Sequence, residues 1–529
     1  MRGIINDAVR FAIARVILVI AMLLDGWQRV RMQRFNANQR RLKLKYRLQS
    51  DTPVLSYGPR VVESIRHAAA RRGSDARFAL TSGSTGEPKN ILYTRRRLRS
   101  LKFVFSDMFV RACRAYRLRR TSLYVFSSFQ CDASLTSMLL DEDRLPFYFS
   151  TLQAPYRVQQ HSAIRALAAE YGAAAVRLWI LTLSNPGVLY ATNPSTISTF
   201  LDELESNWLK YSRLVRDWCD ASHRFDRTVH RIARRLESRG STQRLRSIAA
   251  GNGPLALKQF APSVRAYICW TGGYVQPFLD RLAVHLSATE YRLIPMYSMS
   301  TETVETETVF RNGDAYFLPL ASGVVYEFVE AGEDEKLLTP PELTPGKTYA
   351  LVISDPYGLR RYQTEDLFHC RRKLNGLPDL VFLRRRGLEY SFTGEKVTAE
   401  QLTNVFVQLR RRYPEVLSGG FLTCVPSLSP LPHYKLVFIH ETPITSNQLL
   451  ATLADKLLGE LNCEYKSKRI NGTLGPMMFV QTTAAGFAKC FAGSWETQFK
   501  FLPLYQRTWE SVGESTMSSF EHSQSSPVL

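Results

Sequence analysis

Thr81-Ser-Gly-Ser-Thr-Gly-Glu-Pro-Lys89 follows directly on the short apolar run Arg77-Phe-Ala-Leu80, and this junction decides how the chain is read. A buried strand running into successive Gly, Ser and Thr residues gives a loop whose backbone can fold around phosphate oxygens. Its N–H groups and hydroxyls are donors, and Lys89 is the counter-charge. It is not the Gly-x4-Gly-Lys-Ser/Thr loop of kinase-like NTPases, because Gly86 is followed by Glu-Pro-Lys.

Working outward, three further stretches follow in order. Trp270-Thr-Gly-Gly273 ends a predicted strand with two glycines, where a flat base could approach the backbone. Tyr297-Ser-Met-Ser-Thr-Glu302 groups an aromatic face, hydroxyls and a carboxylate. Gly358-Leu-Arg-Arg-Tyr-Gln-Thr-Glu-Asp366 ends in a carboxylate able to accept both hydroxyls of a ribose. Taken alone, each is open to a structural reading, and a lone Asp366 would cap a helix or pair with an arginine.

Around these motifs, apolar runs and helical periodicities alternate over roughly 51–383, which predicts α/β architecture. Helices are expected at 61–72, 95–118 and 160–171, and strands at 123–129, 174–183, 265–270, 291–296, 324–329 and 349–354. From 194 to 255 the chain reads as largely helical. Past Gly387 the pattern restarts on a smaller scale, as an α+β domain. The expected organisation is a basic amphipathic segment at 1–50, a large ATP- and acyl-binding domain at 51–385, a small mobile lid at 386–510, and a Ser-rich disordered tail at 511–529.

Composition excludes several classes. With 529 residues, 45% hydrophobic and 22% charged, collagen, coiled coil and wholesale disorder are ruled out. The eight cysteines are far apart with no Cys-x-x-Cys pair, which suggests neither zinc nor a disulfide framework and fits a cytoplasmic compartment. The net charge of +22 permits anionic partners. Its arginine runs are short and lack interleaved aromatics, so nucleic acid is not expected.

Residues 1–50 hold eleven Lys/Arg against Asp7 and Asp25. Within them, 11–24 reads FAIARVILVIAMLL, too short for a confident membrane span. An apolar helix with a cationic flank suits an anionic membrane surface. The alternatives are a helix docked on the large domain, or an uncleaved signal anchor. The expected location is the cytoplasm, peripheral at the inner membrane face if the first reading holds.

The motifs resemble those of the plant auxin-responsive acyl-acid amido synthetases and their bacterial relatives, within the adenylate-forming ligase superfamily. The resemblance runs from about Phe78 to Tyr505. It includes Asn193-Pro-Ser-Thr196, Ser391-Phe-Thr-Gly-Glu-Lys396, Leu461-Asn-Cys-Glu-Tyr465, Leu474-Gly-Pro476 and Gly493-Ser-Trp-Glu-Thr-Gln-Phe-Lys500. It implies an α/β fold with a large N-terminal adenylate-forming domain of mixed sheets and flanking helices, and a small mobile α+β C-terminal domain.

It also implies roles. Ser82, Gly83, Ser84, Thr85, Gly86 and Lys89 would hold the phosphates of ATP. Gly272, Gly273 and Tyr297 would line the adenine pocket, and Asp366 would hold the ribose. Glu302 would serve Mg²⁺ or the α-phosphate region, Arg385 would sit at the interdomain hinge, and Lys500 would reach the reacting centre. The implied substrates are a carboxylic acid and an amine, expected to be an amino acid. A thioester ligase and a non-catalytic, membrane-tethered nucleotide-binding relative are the alternatives.

Three departures from the family pattern stand out. Tyr297 to Glu302 is one residue longer than the family's Tyr-x-Ser-Ser-Glu. Gln363-Thr-Glu-Asp366 has Glu where the family has Gly. The hinge reads Arg384-Arg-Arg-Gly387, without the family's acid.

Overall fold

The computed structural model describes residues 2–80, 89–127, 129, 151–220, 222, 224–332, 336–386, 389–390, 392, 395, 397–429, 431–444, 447–470, 472, 474–491 and 501–512. The described chain forms two compact units, Met1–Gly272 with Leu282–Leu383, and Gly273–Arg281 with the chain from Arg384 onward.

The first unit opens with helices α1 (Arg2–Gln33), α2 (Phe35–Lys45) and α3 (Pro59–Ala70). Strands β1 (Arg77–Leu80) and β2 (Asn90–Tyr93) form an antiparallel pair, with Leu80 opposite Asn90. The Gly/Ser/Thr loop therefore connects two paired strands. Helix α4 (Arg95–Ala115) follows, its first turn capped by the Thr94 hydroxyl, which accepts from the Arg97 N–H.

The α/β reading rests on a four-stranded parallel sheet in the order β3 (Leu123–Val125), β4 (Val188–Tyr190), β5 (Ala266–Cys269) and β6 (Arg292–Pro295). β3 and β5 are buried throughout, as strands covered by helices on both faces must be. An antiparallel sheet, ordered β12-β11-β10-β9, comprises β9 (Val325–Glu330), β10 (Thr348–Ser354), β11 (Tyr362–Leu374) and β12 (Leu377–Arg385). Between the two sheets in sequence lies the hairpin of β7 (Glu307–Arg311) and β8 (Asp314–Leu318).

One expectation fails. The run at 174–183 is not a strand but the middle of a helix, Ala173–Ser184, bounded by Gly172 at φ 87° and Asn185 at φ 45°. Ten of its twelve residues are buried, so the helix carries no exposed stripe to betray its period. Length was the better guide, since a run of ten residues exceeds a typical strand.

α1 and α2 dock on the first unit. Met32 and Phe35 pack with Val309, Leu318, Leu320 and Leu377, while Leu42 and Tyr46 pack with Val325. Arg31 pairs with both carboxylate oxygens of Glu307 at 2.8 Å, and Gln39 bonds the backbone at Val324 and Tyr326.

In the second unit, the small pair β13 (Glu389–Tyr390) and β14 (Val397–Thr398) precedes a helix, Ala399–Arg412. A three-stranded sheet then joins β15 (Phe421–Ser427) to β16 (His433–Ile439) antiparallel and β16 to β17 (Met478–Thr482) parallel. Here two of the quoted motifs meet. Buried Glu395 accepts from the Tyr434 hydroxyl and the Phe392 N–H, each at 2.7 Å, and its carbonyl accepts from the Asn462 amide at 2.7 Å. These contacts account for Glu395 and Asn462 as structural ties within the unit.

Candidate active site

Lys89 begins the second arm of the β1–β2 pair. Its ammonium donates to the Tyr362 hydroxyl at 3.0 Å and lies 3.8 Å from the Glu302 carboxylate. Tyr362 in turn donates to Glu302 at 3.4 Å. The three form a closed triangle built from β2, β11 and the segment after β6. Glu302 and Tyr362 are buried and Lys89 is mostly covered, so the cation is held in place by groups with little access to water.

The segment carrying Glu302 is a tight hairpin. The N–H groups of Glu305 and Thr306 both donate to the Ser298 carbonyl, Met299 bridges Val304, and the Ser300 N–H donates to Thr303 at the tip. The extra residue relative to the family pattern lies within this turn. Its outer side is fixed by the Tyr93 hydroxyl, which donates to the Thr301 carbonyl at 2.7 Å, and by Arg97, which donates to the Glu302 carbonyl. Arg97 also donates to the Leu92 carbonyl and pairs with buried Asp355 at 3.3 Å.

Asp366 is presented by an irregularity in β11. Ala350 pairs with Leu367, yet Val352 pairs with Gln363, so extra residues of β11 bulge out between them. Glu365, in the bulge, has φ 68°, a left-handed conformation that favours glycine. This is the position where the family pattern carries Gly, so the backbone shape is kept although the residue is not. Thr364 anchors the bulge by donating to the Leu351 carbonyl and accepting from the Asp366 N–H, each at 3.3 Å.

Behind Asp366 lies a residue that the sequence reading missed. Glu305 is buried, accepts from the Ser298 hydroxyl, and hydrogen-bonds Asp366. Burial holds its carboxyl well above the ordinary value, and the neighbouring Asp366 and Glu302 push it the same way. Glu302, Glu305 and Asp366 thus bring three carboxyls close together, with Lys89 against Glu302. Tyr362 was missed too, although it sits inside the quoted Gly358–Asp366 stretch. Tyr362 lies four residues before Asp366 and Glu305 three after Glu302, but both stand in polar runs where spacing alone does not single them out.

The remaining expected residues distribute as follows. Gly272 is buried, and a side chain there would lie a tight 3.1 Å from the Phe382 carbonyl. Gly273 has φ 67°, another left-handed position. Tyr297 is buried directly after β6, with its phenol pushed up by burial and by Tyr190 and Glu307, so its charged surroundings differ from those of Lys89. Ser82, Gly83, Ser84, Thr85, Gly86 and Lys500 lie outside the described residues, as does the side chain of Arg385.

The lysine–tyrosine–carboxylate triangle beside the hydrogen-bonded Glu305–Asp366 pair offers a cation, a hydroxyl and carboxylates to a bound polar group. Comparison with known proteins bears on the family and the fold. The model of the GH3 family central domain matches residues 317–385, the region that contains β11 with Tyr362 and Asp366. Residues 317–385 are thus similar to the GH3 central domain.

The GH3 likeness extends to the fold. The solved acyl acid amido synthetase AtGH3.15 in complex with 2,4-DB superposes over 87% of this chain and 85% of its own, with a TM-score of 0.66 at 16% identity. Among curated GH3 proteins, the Oryza sativa subsp. japonica "Probable indole-3-acetic acid-amido synthetase GH3.11" is 25% identical over 150 residues, which is 28% of this chain and 24% of that protein. The "Jasmonoyl--L-amino acid synthetase GH3.5" of the same organism is 26% identical over 167 residues, or 30% and 29% of the two chains. The chain thus matches only about a quarter of the length of these curated relatives.

Proposed function

We propose that this protein is an ATP-dependent ligase that activates a carboxylic acid as its acyl-adenylate, releasing pyrophosphate, and then transfers the acyl group to an amine, an amino acid, to form an amide. The observation that carries this reading is the Lys89–Tyr362–Glu302 triangle, with the Glu305–Asp366 pair beside it, inside a GH3 fold.

Adenylation is an in-line displacement at the α-phosphate. The acid's oxygen attacks, the bond to the bridging oxygen of pyrophosphate breaks, and negative charge grows on the departing group. Its rate depends on positioning and on fixed cations and donors more than on proton transfer. Lys89 moves from Glu302 onto the phosphates, while donors of the 81–88 loop cradle them. Asp366 accepts from the ribose hydroxyls. Glu305 hydrogen-bonds Asp366 from behind and so helps to position it for that task.

Mg²⁺ fits this site only as a companion of ATP. Among the described residues no group of three or more His, Cys, Asp or Glu could hold a metal ion. Glu302 alone supplies one carboxylate, which suits a cation that takes its other ligands from phosphates and water. When bound, Mg²⁺ would neutralise charge on the phosphates. The GH3 likeness favours an amine over a thiol as acceptor, and ATP chemistry of this kind fits the cytoplasm.

Product analysis tests the second half of the reaction. Purified protein is given ATP, Mg²⁺ and pooled aromatic, alkyl and hydroxy acids, with either pooled amino acids or coenzyme A. The reading expects amide masses with the amino acids alone. Thioester masses formed only with coenzyme A would contradict it.

A further inference from the structure

α1 is turned inside out relative to an ordinary surface helix. Its buried positions are Asn6, Arg10, Ala14, Ala21, Gln28 and Met32. Three of these six are polar, and each makes at least one hydrogen bond, although the Gln28 side-chain nitrogen finds no partner among the described residues. The Asn6 amide donates to the Glu237 carbonyl at 2.9 Å, and Arg10 donates to the Leu236 carbonyl at 2.8 Å. Gln28 accepts from buried Arg111 at 2.7 Å. The side that would usually hold apolar residues therefore docks through hydrogen bonds, two of them to the carbonyl end of the helix Arg227–Leu236.

The outward side is apolar. Phe11, Val16, Val19, Met22, Leu23 and Trp27 are all 45% exposed or more, and Leu23 reaches 72%. Between residues 4 and 27 of α1, Arg15 is the one charged residue classed as exposed, and its guanidinium lies over the Phe11 ring. Phe103 of α4, also exposed, extends the patch by packing edge-on against Trp27 at 5.5 Å. Soluble surfaces rarely carry a continuous apolar strip of this length, and such a strip marks a site of contact.

Both ends of the strip are cationic. At the amino-terminal end, the Arg227–Leu236 helix that receives Asn6 and Arg10 exposes Arg227, Arg231 and Arg234. At the other end, Arg29, Arg34, Arg40 and Arg41 are exposed beyond Trp27. The nearby acids are already engaged: Asp7 pairs with Arg10 and Arg120, Asp25 pairs with Arg114, and Asp226 caps its helix at Thr228.

We infer that the outward face of α1 is an in-plane membrane contact, which seats on an anionic lipid surface with Phe11 to Trp27 in the headgroup–acyl boundary and the flanking arginines on the phosphates. An interfacial helix needs such an apolar face with cationic flanks, and Trp27, at the junction between them, occupies the depth that tryptophan favours. The helix does not cross: among the described residues no helix is long and apolar enough to do so. A second copy of the chain is a poorer occupant, because two such faces would bring arginines against arginines, whereas lipid phosphates supply the missing charge.

Vesicle co-sedimentation of the full chain tests this. Wild-type protein should pellet with phosphatidylcholine vesicles containing about 30% phosphatidylglycerol and stay in solution with phosphatidylcholine alone. The variant Val19→Glu/Leu23→Glu, at exposed positions and so expected to melt like wild type, should bind at least about tenfold more weakly. Three outcomes would overturn the inference: no pelleting with anionic vesicles, equal pelleting of the variant, or a wild-type dimer by light scattering that the variant splits.

Discussion

Glu305 and Asp366 meet carboxyl to carboxyl, the first from the hairpin after β6 and the second from the bulge of β11. Two acids in a buried site cannot both ionise cheaply, and burial together with Asp366 and Glu302 holds the Glu305 carboxyl well above its ordinary value.

That arrangement predicts a sign for pH dependence. Glu305 titrates above its ordinary value of 4.5 in the folded chain. The native state therefore binds more protons than the unfolded state above that pH, and the pair's contribution to stability falls as pH rises from there. The slope is at most about 1.4 kcal/mol per pH unit. Glu305→Gln keeps a hydrogen-bonding group without the titration. Chemical denaturation across pH 5 to 8 should show the variant gaining on wild type as pH increases.

The bulge makes a second prediction. Glu365 pays for a left-handed backbone at φ 68° with only an exposed hydrogen bond from Ser56 in return. Glu365→Gly should stabilise the protein by about 0.5–1 kcal/mol, read as a raised midpoint of denaturation.

Gly358 supplies a contrast. Its φ is +108°, and a side chain would lie 2.7 Å from the Ile65 Cα on α3. Backbone cannot yield as a side chain can. Gly358→Ala should cost about 3 kcal/mol or more, or abolish soluble expression, which the same denaturation series would register.

Arg97 ties the Glu302 turn to Asp355, both inside the first unit. Arg97→Met should destabilise by about 3–5 kcal/mol, since Asp355 is left buried without its cation. Adding Asp355→Asn should recover part of that loss. A double variant no better than the single one would show that the ion pair is not the cause.

Much of this was legible in the sequence, for physical reasons that vary by residue. Lys89, Glu302 and Asp366 sit in segments whose polar character is costly inside an apolar fold, so their chemistry stands out. The helix at 173–184 did not, because uniform burial erases periodicity. Glu305 was hidden in an acidic, Thr-rich run where one carboxylate looks like the next, and only the hairpin's hydrogen bonds single it out. The outward face of α1 was invisible for a related reason: composition records that a helix is apolar and basic, but not which side docks.

The central claim is tested most directly by carboxylate-dependent exchange of radiolabelled pyrophosphate into ATP, comparing wild type with Lys89→Ala. The account predicts exchange with at least one pool of aromatic, alkyl or hydroxy acids, and a loss of about a hundredfold or more in the variant, whose fold should be kept because Lys89 is not in the core. Exchange that persists undiminished in Lys89→Ala, or a wild-type protein that fails to bind ATP at all, would contradict it.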